Sequence, residues 1–241
     1  MRWLALALAC LALTGCETTQ EKSAKLEKAA LKAAKKLPVG TGAVKIGRPS
    51  SAVSVVSSTL LAGTEGTAVV VTLEDHTGTG RRELPIAVTV HGASQAVAYS
   101  NTGGGLARSL VSVPLVPAHG QTTWIDDQLP SGTTGALTVQ VGEGKAASVA
   151  ATEVAIESQK LEEEAGGVAS VRGTVVNRSA VAQHELVVDA VTRHAGRITS
   201  AGRAILSSLA AGGSSSFQIF LVGTPGRGAQ LSVTAASSSV G

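Results

Sequence analysis

The chain has 241 residues, 15% of them charged and only 2% aromatic, with a formal charge of +3. So few aromatic residues leave no base-stacking platform, and so small a charge leaves no basic face for nucleic acid. Both cysteines, Cys10 and Cys16, fall within the first sixteen residues, which excludes a disulfide framework, a cysteine nucleophile and a thiolate metal site from everything that follows.

Arg2 supplies a short positive segment, and residues 3–13 form an apolar run. That run is too short to span a hydrocarbon core, which needs ~20 residues, but it suits the apolar region of a secretory signal. Leu13, Thr14 and Gly15 then place one hydrophobic and two small residues before Cys16. This box resembles the lipobox of bacterial lipoproteins. The resemblance implies that the signal over 1–15 is cut just before Cys16 and that the thiol receives a diacylglyceryl group. It also implies an exported chain held by acyl chains such as palmitate on the outer face of a bacterial membrane, in the cell envelope. Each buried methylene is worth ~0.8 kcal/mol, so two acyl chains hold far more firmly than one.

Residues 17–37 carry six Lys against three Glu, so the excess positive charge lies beside the anchor while the rest of the chain is close to neutral. Strong helix formers fill this stretch, and Leu26, Ala30, Ala33 and Leu37 recur at helical spacing. Pro38 and Gly40 end the pattern. The segment over 16–37 therefore reads as the lipid-bearing residue followed by a helical stalk, with interfacial contact through its lysines as the alternative. Its apolar side is mostly alanine, which favours the stalk. Residues 38–51, punctuated by Gly and Pro, read as a linker.

From Ala52 the period becomes two. Val69, Val71 and Leu73 alternate against Val70, Thr72 and Glu74, and Leu84, Ile86, Val88 and Val90 against Pro85, Ala87 and Thr89. Leu137, Val139 and Val141 repeat the pattern, and turn clusters such as Asp75-His76-Thr77-Gly78 separate the runs. Short alternating strands with such breaks predict an antiparallel sandwich. The pattern then recurs: a shift of 102 residues sets Thr72–Thr77 on Thr174–Ser179 and Glu83–Ile86 on Glu185–Val188. Farther on, Gly120–Trp124 meets Gly213–Phe217 at a shift of 93, so the first copy is longer by about nine residues around Asn101–Gly105. An all-β chain with two tandem sandwiches is expected, over 52–146 and 149–236. In the second copy, the order Thr174–Ser179, Leu186–Val191, Ala195–Ile198, Leu209–Gly212 and Phe217–Ile219 resembles the FxLYD and CARDB-type immunoglobulin-like modules of bacterial surface proteins. That resemblance implies an adhesive or scaffolding role and no catalytic residue.

The residues that could carry chemistry are dispersed. His76, His91, His119, His184 and His194 form no pair at metal-binding spacing. His184-Glu185 with Asp189 comes nearest, but alternation turns His184 away from the two acids. Glu162-Glu163-Glu164 reads as a solvated turn rather than a calcium cage. Asp126 and Asp127, adjacent on a strand, point to opposite faces and make a poor acid/base pair. Trp124 and Phe217, at matching positions, read as core residues. No metal, no cofactor and no catalytic residue is expected. The leading expectation is a non-catalytic, lipid-anchored envelope protein presenting two Ig-like domains as a scaffold or binding surface for another envelope protein. The alternative is a lipoprotein that delivers a small molecule or glycan to a membrane transporter or cell-wall enzyme. The longer loop of the first copy, Ser100–Arg108, is the expected contact site, since sandwich loops commonly carry binding.

Overall fold

Strict alternation of branched apolar residues with polar ones makes a strand that buries one face. In the computed structural model, Leu84, Ile86, Val88 and Val90 are all fully buried while the residues between them keep exposed surface. The structure describes residues 43–64, 66–147, 154–164 and 167–240. The signal over 1–15, the lipobox residues Leu13, Thr14 and Gly15, the acceptor Cys16 and the stalk over 16–37 lie outside the described residues.

The described chain is all-β and antiparallel. The first set of strands comprises β1 (Val53–Gly63), β2 (Gly66–Asp75), β3 (Arg81–His91), β4 (Val97–Ser100), β5 (Ser112–Val116), β6 (Gln121–Leu129), β7 (Ala136–Val141) and β8 (Lys145–Ala146). The second comprises β9 (Val154–Glu163), β10 (Ala169–Asn177), β11 (Gln183–His194), β12 (Arg197–Leu209), β13 (Ser214–Phe220), β14 (Val222–Gly223) and β15 (Gln230–Val240). One sheet of the first sandwich runs β1-β2-β6, and the other centres on β3, with β4 and β5 on one side and β7 and β8 on the other. The second sandwich repeats this with β9-β10-β13 against β14-β12-β11-β15. The single long strand β12 stands where the first copy has β4 and β5, interrupted by residues 101–111 and a one-turn 3-10 helix at Arg108–Leu110. The nine extra residues therefore fall inside a strand position.

Each sandwich has its own core. Val69, Val71, Leu73, Leu84, Ile86, Val88, Val90 and Trp124 fill the first, and Val171, Val175, Leu186, Val188, Phe217 and Ile219 fill the second. Fully burying such a side chain contributes about 1.5–3 kcal/mol. Both copies depart from alternation at the same place: Glu83 and Glu185 take left-handed backbones, with φ of 55° and 47°. The last part of the 38–51 stretch is laid against the first sandwich, with the Val44 amide donating to the Thr102 carbonyl and Pro49 bridging Gly142.

The turn after each second strand is built alike. Asp75 Oδ1 accepts from the Thr77 amide and hydroxyl at 2.6 and 2.7 Å, and Asn177 Oδ1 accepts from the Ser179 amide and hydroxyl at 3.1 and 2.7 Å. Asn177 is fully buried and its Nδ2 also donates to the carbonyls of Val181 and Ala210. Asn177→Ala removes all of these bonds and is expected to lower stability by about 1–3 kcal/mol, read as a drop in the urea midpoint.

Candidate functional site

A strand in the middle of one sandwich should bury one face. β2 buries both: Val69, Val71 and Leu73 enter the first core, while Ala68 and Val70 on the other side are equally enclosed. β11 does the same, with Leu186, Val188 and Ala190 in the second core and Val187 and Val191 buried opposite. The reason is a third apolar cluster of Leu61, Ala68, Val70 and Ile125 with Val191, Ala201 and Val222. The sheet β1-β2-β6 lies on the sheet β14-β12-β11-β15, so four sheets stack in order and the inner two share a seam.

One cation sits in that seam. Arg203 on β12 is 9% exposed, and Asp189 of β11 is its direct cross-strand partner. Its guanidinium donates to Ser109 Oγ, to the Ser109 carbonyl at 3.4 Å and to the Ile125 carbonyl at 3.3 Å. Its backbone amide donates to Asp127 Oδ2 at 3.1 Å. Ser109 is held from the other side by Trp124, whose Nε1 donates to the same carbonyl at 2.9 Å. Every bond of Arg203 to the first sandwich thus ends on β6 or on the inserted stretch. Asn101 anchors the start of that stretch, giving its Nδ2 to the carbonyls of Ile86 and Leu110 and accepting from the Val88 amide. The insertion is consequently a clasp.

The electrostatics follow from the enclosure. Burial pushes the Asp189 carboxyl up to about 7; the Arg203 charge opposes this and the Asp127 charge adds to it. Asp189 keeps some exposed surface as a residue, but its Oδ1 is enclosed and without a partner. Burial also raises Asp127, again against Arg203. Asp126 turns the other way, into the first sandwich, where it accepts from the Tyr99 hydroxyl on the facing sheet. Burial raises Asp126 too, and burial together with the Asp126 charge drives the Tyr99 phenol far above its ordinary value. A carboxyl titrating near neutrality is a common mark of acid/base chemistry. Here it faces Arg203, its cross-strand partner, at the seam between the two sandwiches.

The other candidate residues fall apart in space or into ion pairs. His76 bonds the Ser54 hydroxyl at 2.6 Å, and His91 the Gln95 carbonyl at 3.3 Å. The left-handed Glu185 breaks the alternation from which its shared face with Asp189 was inferred. Among the described residues no three His, Cys, Asp or Glu side chains come together to hold a metal ion. Glu162 and Glu163 end β9 rather than forming a turn. Glu164 just beyond accepts from Ser170, Arg172 and Gln218 at 2.7, 2.8 and 2.9 Å, and the Ser170 and Arg172 bonds hold its carboxyl below the usual range. In the loop Ser100–Arg108, Gly103, Gly104 and Gly105 are exposed while Asn101 is buried. Trp124 and Phe217 are buried in their respective cores.

Arg203, Ser109 and the seam role of Asp189 escaped sequence reasoning. A signal was present: Asp189 stands within Leu-Val-Val-Asp-Ala-Val and Arg203 within Ala-Gly-Arg-Ala-Ile, charges inside apolar strands, which native proteins bury only when paired.

No protein-family model and no curated protein matches the chain. Among solved structures, a transglutaminase of red sea bream is aligned over 92% of this chain at 14% identity with a TM-score of 0.25, and the chain spans about a third (32%) of that protein's length. A superposition so loose carries no argument about fold or activity.

Proposed function

We propose that the chain is a non-catalytic, lipid-anchored envelope protein that presents its two sandwiches to a partner in the cell envelope as one rigid platform. The observation that carries this reading is the seam. Its acids are spent on Arg203 and on enclosure, and the inserted clasp serves docking of the two sandwiches. A doubled sandwich fixed in this way offers a wide face in a constant orientation, which suits holding rather than turnover. The lipobox ending in Cys16 supplies the tether, and the lysine-rich stretch after it supplies the spacing from the membrane.

Growth of bacteria expressing the chain with a labelled fatty acid tests the tether. The protein is expected to take up the label and to sediment with membranes, and Cys16→Ala to lose both. Wild-type protein released without label would end the reading. Crosslinking in intact cells then identifies the partner.

A further inference from the structure

The seam does not close along its whole length. On the seam-facing side of β1, Leu61 packs into the shared cluster. The next residues on that face, Thr59 and Ser57, instead line a groove of about 410 Å³ whose other wall is the β11–β12 hairpin, through Arg193, Gly196, Arg197 and Ile198. The two sandwiches therefore each supply one wall. The polar side chains in it are all donors: two guanidinium groups and two hydroxyls, with no carboxylate among the lining residues. Glu74 lies beyond Thr72 on β2 and does not line it. Of the other arginines, Arg82 and Arg108 are neutralised by Glu83, Arg172 by Glu162 and Glu164, and Arg178 by Glu157, whereas Arg48, Arg81 and Arg227 form no ion pair among the described residues. Among the described residues Arg193 and Arg197 have no such partner. The duplication sharpens the contrast. At a shift of 102, the first copy carries His91 and Gln95 at these two places, so both cations belong only to the copy whose hairpin walls the groove.

We propose that this groove is a binding site for a phosphate group. Guanidinium forks match a phosphate oxyanion through paired N–H donors, and the Ser57 and Thr59 hydroxyls can donate to remaining oxygens. The occupant is a phosphomonoester in solution or the phosphodiester headgroup of a lipid, both of which offer anionic non-bridging phosphate oxygens to the guanidinium donors. The site goes beyond the platform reading, since the groove exists whether or not Cys16 is acylated; loss of phosphate binding with lipid labelling intact would remove the site and leave the platform.

The test uses the full chain carrying Cys16→Ala, so that no acyl chain competes. Calorimetric titration with inorganic phosphate and with glycerol 3-phosphate, at constant ionic strength, is expected to show saturable binding. The pair Arg193→Gln with Arg197→Gln should weaken it at least tenfold, while Arg48→Gln, an exposed cation elsewhere, leaves it unchanged. If the double variant melts lower than the parent, Arg197→Gln alone, on an exposed residue, makes the same comparison. Flotation with phosphatidylglycerol against phosphatidylcholine vesicles separates the sources. Arginine-dependent preference for the former assigns the headgroup, and binding of glycerol 3-phosphate alone assigns a soluble ester. No saturable binding of any phosphate probe, or binding that survives loss of both arginines, overturns the proposal.

Discussion

Arg203→Ala is expected to lower stability at neutral pH by about 3–5 kcal/mol, the usual cost of removing one partner from a buried charge cluster. The reason is asymmetry. The guanidinium satisfies the Ser109 hydroxyl and two carbonyls and faces the Asp189 and Asp127 carboxylates. Truncation leaves those carboxylates in the seam without a cation, and opens a gap where β12 meets β6. Urea unfolding followed by circular dichroism measures the loss. Arg203→Met, which keeps the volume but not the charge, should recover only part of it. A change below 1 kcal/mol in both variants would show that the seam does not depend on its cation.

The second large effect is a pH dependence of unusual sign. Asp189 has its carboxyl raised from 3.8 to about 7 in the folded chain, so between those values the folded state binds more protons than the unfolded one. Stability contributed by this group is therefore complete below about pH 4 and is lost as pH rises through 7. Asp126 and Asp127, both raised by burial, act in the same direction. The whole Asp189 shift would correspond to roughly 4 kcal/mol, and the surface it retains reduces this to about 2 kcal/mol. The lowered carboxyls, Glu83 and Glu164, act oppositely, but both are in solvent-facing ion pairs. The urea midpoint should accordingly fall from pH 5 to pH 8, and Asp189→Asn should raise it at pH 8 and flatten the profile. Asp189→Asn leaves Arg203 balanced by Asp127. A midpoint that climbs over this range, or a variant less stable than the parent at pH 8, would contradict the assignment.

Much of this architecture could be read from residue order, because each sandwich is built from local alternation. Leu84 to Val90 give an unbroken two-residue period, and β3 buries those four side chains. Asp75 and Asn177 mark the same turn twice because each side chain closes a ring onto the backbone two residues on. The seam was harder to read because it joins residues far apart in the chain, 76 positions between Asp127 and Arg203 and 94 between Ser109 and Arg203. Its apolar half left a trace in the runs Ala68–Val71 and Leu186–Val188, where both parities are apolar and a one-faced strand is not enough to explain them. The left-handed Glu83 and Glu185 left none, since nothing in a glutamate favours that backbone. Nothing in the residues around Arg193 and Arg197 marks a groove, because its opposite wall comes from β1 of the other copy.

Native-state amide hydrogen exchange tests the seam most directly, because it reports each sandwich separately. If the two sandwiches are one body, Arg203→Ala, a change in the second, lowers the opening free energy of β2 amides in the first by the same few kcal/mol as those of β10. Exchange in β2 that stays at its wild-type rate while only β10 and β11 loosen would mean two independent domains, and the rigid platform would be contradicted.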